Sequence, residues 1–132
     1  MPAIREGLAA RLATIRGLRA SAYMLPRPEP PAACVLPRDA TFDVTMHSDD
    51  LDLSFDCWIY CSATDIVKAQ QDIDEYLAPI GARSFRAAIY GDSTLGGIVA
   101  DTTVVGWSSY ASLMDVAGSK LLGASLQVRV EG

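Results

Sequence analysis

Ile4, Leu8, Leu12 and Ile15 recur at steps of four, four and three residues. That spacing lines one face of an α-helix and predicts an amphipathic helix over about residues 2–16, with Pro2 suited to its first turn. Gly17 stops it. The stretch "LRASAYMLPRPEPPAA" that follows holds Pro26, Pro28, Pro30 and Pro31, which predicts an extended, irregular segment with a Pro-rich arm over residues 24–31. Such an arm is either a plain crossing loop or a rigid segment laid against a neighbouring subunit.

Beyond the arm the period changes from helical to alternating. "ACVLP" reads as a short strand ended by Pro37, and "TFDVTM" alternates Phe42, Val44 and Met46 against Thr41, Asp43 and Thr45. "LDLSFDCWIYC" puts Leu51, Leu53, Phe55, Cys57, Ile59 and Cys61 on one face, with Asp52, Ser54, Asp56, Trp58 and Tyr60 on the other. The polar "HSDD" before it reads as a hairpin loop. "SATDIVKAQQDIDEYLAPIG" predicts a second helix, capped by Ser62 or Thr64, with Asp65 at its positive end and a stripe of Ile66, Ala69, Ile73 and Leu77. Pro79 and Gly81 end it. "RSFRAAIY" then reads as a strand, and "IVADTTVVGWSSYASL" as another with a bend near Gly106. After turn signals in "AGSK", the last strand alternates Leu122, Ala124, Leu126, Val128 and Val130 inward against Gly123, Ser125, Gln127 and Arg129. This order predicts an α+β fold: a mixed, mainly antiparallel β-sheet packed with two helices, in a single domain spanning residues 1–132.

A chain of 132 residues suits one domain. Its apolar runs fall short of the roughly 18–20 residues that span a bilayer, and its arginine-bearing start lacks the pattern of a secretory signal. The expectation is a soluble protein that stays where it is made, with no membrane partner. A net charge of −5 and a pI near 4.6 argue against a dedicated nucleic-acid binder, whose affinity comes from Lys and Arg on phosphates. Three cysteines are too few for a disulfide framework and predict free thiols in a reducing compartment.

"YGDSTLGGIV", Tyr90 to Val99, has the two glycines of a phosphate-cradling loop at the right separation. The Lys and the hydroxyl that must follow Gly96 are replaced by Gly97 and Ile98, Asp92 brings a negative charge, and strand-like residues follow where a helix is required. These departures argue against a nucleotide site. The loop reads as a connection between two strands, with Gly96 and Gly97 at positive φ and the stretch Asp92, Thr94, Leu95, Gly96 and Gly97 a candidate subunit contact. Cys57 and Cys61 lie about 13 Å apart along a strand, beyond the roughly 7 Å that a disulfide spans, and read as small buried apolar residues. His47, Asp49, Asp50 and Asp52 form the one cluster of metal-ligand types, without the glycine and glutamate of a calcium loop; a solvated hairpin tip accounts for them, and a small metal-dependent enzyme or ligand-binding module is the competing reading. Ser108, Ser109 and Ser112 have no neighbouring base. Trp58 and Tyr60 either meet another subunit or pack beneath the Pro-rich arm.

The segments "IREGLAARLATIRGLRA", "PEPPAACVLP", "DVTM", "AQQDIDEYLAPIGARSFRAAI" and "DSTLGGIVADTTVV", in this order over nearly the whole chain, resemble tail terminator (tail completion) proteins of long, flexible-tailed actinobacteriophages. The resemblance implies a small fold of a sheet flanked by helices that assembles as a hexameric ring. It implies a structural virion protein of the tail–neck junction, built in the host cytoplasm, that caps the tail tube protein, ends its polymerisation and offers a joining surface to the head-to-tail connector proteins. It implies no catalytic residues, no cofactor and no metal. Another neck or tail component, a connector or a tube subunit, shares the same logic. A ring needs one patch of each subunit to meet a different patch of the next; the candidates are Pro26, Pro28, Pro30 and Pro31, Trp58 with Tyr60, and Asp92 to Gly97. Asp49, Asp50 and Asp52 are candidates for a ring face or lumen past which genome DNA slides without specific binding.

Overall fold

The computed structural model describes residues 2–24, 30–42, 51–116 and 119–131. The alternation of β3 (Leu51–Ser62) and β5 (Ser119–Glu131) sets the centre of the fold. Leu53, Phe55, Cys57, Ile59 and Cys61 of β3, and Leu122, Ala124, Leu126, Val128 and Val130 of β5, are all buried on one side of the sheet. These two antiparallel strands pair over Asp52–Ser62 and Leu121–Glu131. β2 (Ala32–Phe42) pairs antiparallel on the other side of β3, and β4 (Asp101–Val116) antiparallel on the other side of β5. A three-residue β1 (Arg19–Ser21) lies parallel to β2, so the five strands run in the order β1-β2-β3-β5-β4. The fold is mixed α+β with a mainly antiparallel sheet, as its periodicities predict.

The helices cover one face. In α1 (Pro2–Leu12) the expected stripe is realised, since Ile4, Leu8 and Leu12, together with Ile15 just beyond, are buried. α2 (Ile66–Leu77) buries Ala69, Ile73 and Tyr76, and α3 (Phe85–Tyr90) buries Phe85 and Ile89. Tyr76 and Phe85 meet edge to face with centroids 5.6 Å apart, a favoured aromatic geometry. Arginines tie α1 to its surroundings: Arg5 donates to the carbonyls of Ala22 and Val35, and Arg11 to that of Ala88. All of these apolar residues belong to one continuous core.

Several boundaries and one element type differ from the periodicity reading. The first helix ends at Leu12 rather than near Arg16, because Thr14 and Ile15 donate to the carbonyls three residues back and the Thr14 hydroxyl takes the Arg11 carbonyl; a competing side-chain bond of this kind loosens a helix. Part of the segment read as irregular is β1. The strand expected to stop at Pro37 continues to Phe42, with a register shift between Pro37 and Asp39. β1 covers β2 only as far as Cys34, so Pro37 sits on an edge, where a missing N–H is tolerated. The strand expected over "RSFRAAIY" is the helix α3, which makes three helices among the described residues rather than two. Asp65 caps α2, accepting from the Lys68 amide, rather than Ser62 or Thr64. Ile66 of its expected stripe is 48% exposed, while Tyr76 takes the buried place. Ser125, expected outward, is buried on the far side of the sheet. The bend expected near Gly106 is a register shift between Val104 and Gly106. Val44, Met46, the "HSDD" tip and part of "AGSK" lie outside the described residues.

Candidate functional site

The loop after α3 leads from a helix to a strand, not from strand to strand. Asp92 organises it. One carboxylate oxygen accepts from the Thr94 hydroxyl at 2.8 Å and the Thr94 amide, and the other accepts from the Gly96 amide at 2.9 Å. The Thr94 hydroxyl accepts from the Gly97 amide in turn. These bonds, the one to the Thr94 hydroxyl foremost, hold the Asp92 carboxyl below its ordinary pKa. Leu95, Gly96 and Gly97 have φ of 52°, 76° and 88°. Of their amides only that of Gly96 reaches the Asp92 carboxylate, while the Leu95 amide donates to the Asp92 carbonyl and the Gly97 amide to Thr94. Thr94, Gly96 and Gly97 are exposed, as a contact surface requires. Leu95 is not: it is 4% exposed and lies against Gly7 of α1, where a Cβ would come within 3.1 Å of its own Cβ. It is a core residue of the loop, removed by its burial from the candidate contact.

Trp58 and Tyr60 project from the helix-free face of the sheet, half-buried and stacked nearly parallel with centroids 6.2 Å apart. The Tyr60 hydroxyl lies 3.7 Å from the Cys34 sulfur, and burial, followed by the nearby Cys34, raises its pKa. Cys34, Ala32 and Leu121 are buried around this pair. The two rings stack on one another and keep part of their surface open on this face. Asp56 and Ser125 on the same face each keep a buried side-chain oxygen with no hydrogen-bond partner among the described residues. The three cysteines are free and buried, as expected. Burial pushes the Cys57 thiol up to about 12 and that of Cys61 to about 11, so neither is a ready nucleophile at neutral pH.

Pro30 and Pro31 line an open cleft of about 390 Å³ with Cys61, Lys68, Asp72 and Arg83. Arg83 spans it, donating to Asp72 at 3.2 Å, Glu75 at 2.6 Å and the Tyr76 hydroxyl at 2.7 Å. Its charge is thus met by two carboxylates, leaving the cleft without a strong preference for either sign. Pro26 and Pro28 of the same arm lie outside the described residues, as do His47, Asp49 and Asp50. Asp52 stands in the sheet, in register with Glu131 of β5, which is in register with Asp101 of β4. No group of three His, Cys, Asp or Glu among the described residues is arranged to hold a metal, and none of their helices is long and apolar enough to cross a membrane.

One surface went unrecognised in the sequence. Trp107, Tyr110 and Leu113, with exposures of 55%, 38% and 61%, follow one another along the outer strand β4. Trp107 and Tyr110 lie 5.6 Å apart, and the Tyr110 hydroxyl donates to Asp74 of α2. The signal was hidden because register shifts after Val104 and after Ser108 break the alternation of β4. No protein-family model matches the chain, and no curated protein matches it.

Proposed function

We propose that this chain is a structural virion protein that closes the tail tube of a long-tailed phage as a ring, stops its growth and presents a joining surface to the head. The reading rests on the order of sequence segments that resembles tail terminators. The structural observation that carries it furthest is the row Asp52, Glu131 and Asp101, abreast on three adjacent strands. Like charges directly opposite one another in a sheet are destabilising. Asp101 and Glu131 are both exposed, so nothing in packing requires them. A surface past which DNA must slide gains from such a row, because carboxylates repel phosphates and prevent sticking. The loop at Asp92 agrees with a role in which no nucleotide is held, since its amides are already occupied.

The test is loss of the gene in a phage that carries it. Tails of uncontrolled length and unjoined filled heads, counted by electron microscopy and restored by the gene in trans, are the expected result. Tails of normal length joined to heads in its absence would overturn the proposal. Tails of normal length that fail to join would instead favour a connector, and loss of all tails a tube subunit.

A further inference from the structure

We infer that α3 guards an edge of the sheet: Tyr90 closes the outer side of β4 and keeps its stretch Asp101–Val104 from pairing with the same stretch of a second copy of this chain. β4 is an outermost strand, and the outward amides and carbonyls of such a strand are a template for strand addition. The longest regular part of that template before Ser112 is Asp101–Val104, which pairs with β5 without interruption. Register shifts follow between Val104 and Gly106 and between Ser108 and Ser112, and Ser109 has a φ of 55°. Irregularities of this kind disturb the ladder and turn an edge away from a partner. The regular stretch lacks that protection. It also leads into "TTVV", Thr102 to Val105, which is uncharged and wholly β-branched, the composition that favours pairing between identical segments. Two copies of Asp101–Val104 set antiparallel place each Asp101 opposite a Val104, so no like charges oppose the contact.

Tyr90 stands at this stretch. The Val104 amide donates to its hydroxyl at 2.9 Å, so the donor that a second strand would take from Val104 is already occupied. Two contacts hold the ring in place. Burial of Phe85 and Ile89 fixes α3 on the core, and Arg86, whose guanidinium donates to the Pro79 carbonyl, lies 4.9 Å over the Tyr90 ring. Arg86 and Tyr90 are four residues apart and therefore neighbours on one face of the helix. Tyr90 is 40% exposed, and water would satisfy both its hydroxyl and the Val104 amide if they parted. Packing therefore does not demand the bond, and its effect is to cover the edge. Val105, 65% exposed beside the stretch, would add apolar area to the pairing that this cover prevents. The guard is independent of the tail reading and of any ring.

Sedimentation of the purified full chain from micromolar to millimolar concentration, with amide hydrogen exchange read residue by residue, tests it. Tyr90→Ala should self-associate at least about tenfold more tightly than the wild type, and in the associated species its Val104 amide should exchange more slowly than in the monomer. Adding Val105→Lys to Tyr90→Ala should return association to the wild-type level, because a lysine on an edge strand opposes pairing. Tyr90→Phe keeps the ring and loses the acceptor; where it is monomeric, its Val104 amide should exchange about fivefold faster than in the wild type. Circular dichroism checks the fold, and Tyr90→Phe with Arg86→Ala replaces Tyr90→Ala if that variant unfolds. Folded variants that associate no more than the wild type, association that leaves the Val104 amide unprotected or survives Val105→Lys, or a Val104 amide indifferent to Tyr90→Phe would each overturn the inference. Normal tails without the gene would remove the tail function and leave the guard intact.

Discussion

Leu95 combines two demands that rarely coincide, a left-handed backbone and a buried side chain. Truncation to alanine removes the packing and keeps the unfavourable φ, so Leu95→Ala should lower unfolding free energy by about 2–4 kcal/mol. Leu95→Gly loses the same packing but releases about 1 kcal/mol of backbone strain. Urea unfolding should therefore find the glycine variant no less stable than the alanine variant, an inversion of the usual order. Cys57 makes a second residue-level prediction. Its thiol ionises near 12 in the fold against 9.0 for a free thiol, so the unfolded chain releases this proton first. The stability that this group contributes is complete below pH 9 and is lost as pH rises from there to about 12. By pH 10 the loss should be roughly 1 kcal/mol from this residue, and Cys57→Ala should flatten the decline of the urea midpoint between pH 8 and 10.

At the scale of elements, α3 depends on Ser84. Its hydroxyl oxygen accepts from the Ala87 amide and its proton goes to the Ala78 carbonyl, at a site 1% exposed. Ser84→Ala should cost about 1–2 kcal/mol by removing the cap and stranding buried partners, measured as a fall in the denaturation midpoint. The same element was misread because six residues satisfy two periods. Phe85, Ala87 and Ile89 alternate as in a strand, while Phe85, Ala88 and Ile89 fall at helical spacing. The buried pair Phe85 and Ile89 belongs to the helix. β3 and β5 raise no such ambiguity, since six inward residues in the one and five in the other leave only one period. β4 lies between these cases: its strand character was legible, but its shifts of register moved Trp107 and Leu113 onto the helix side at an edge where no helix covers them.

Across the whole molecule the charge is uneven. Arginines gather near the first helix and β1, while Asp52, Asp101 and Glu131 cross one end of the sheet in register. Asp101→Lys with Glu131→Lys should leave folding nearly unchanged, because both side chains are exposed and surface substitutions usually shift stability by about 0.5 kcal/mol or less. On the proposed function, phage carrying this pair should build tails of normal length and release DNA more slowly from purified particles. Unaltered release would argue that this end of the sheet does not face the genome. The prediction separates the electrostatic role of the row from the assembly of the ring.

The amino-acid sequence alone determined the class of the fold, the inward faces of β3 and β5, the stripe of α1 and the lack of a phosphate-binding cation after Gly96. Each of these depends on period or on residue type, which are local properties. Tertiary structure decided that Asp92 caps the turn it opens, that Leu95 belongs to the core, and that Trp107, Tyr110 and Leu113 stay exposed on the outer strand of the sheet. Those facts depend on which strands become neighbours and which edges remain uncovered. Residues distant in sequence set both, through a packing that no local period records.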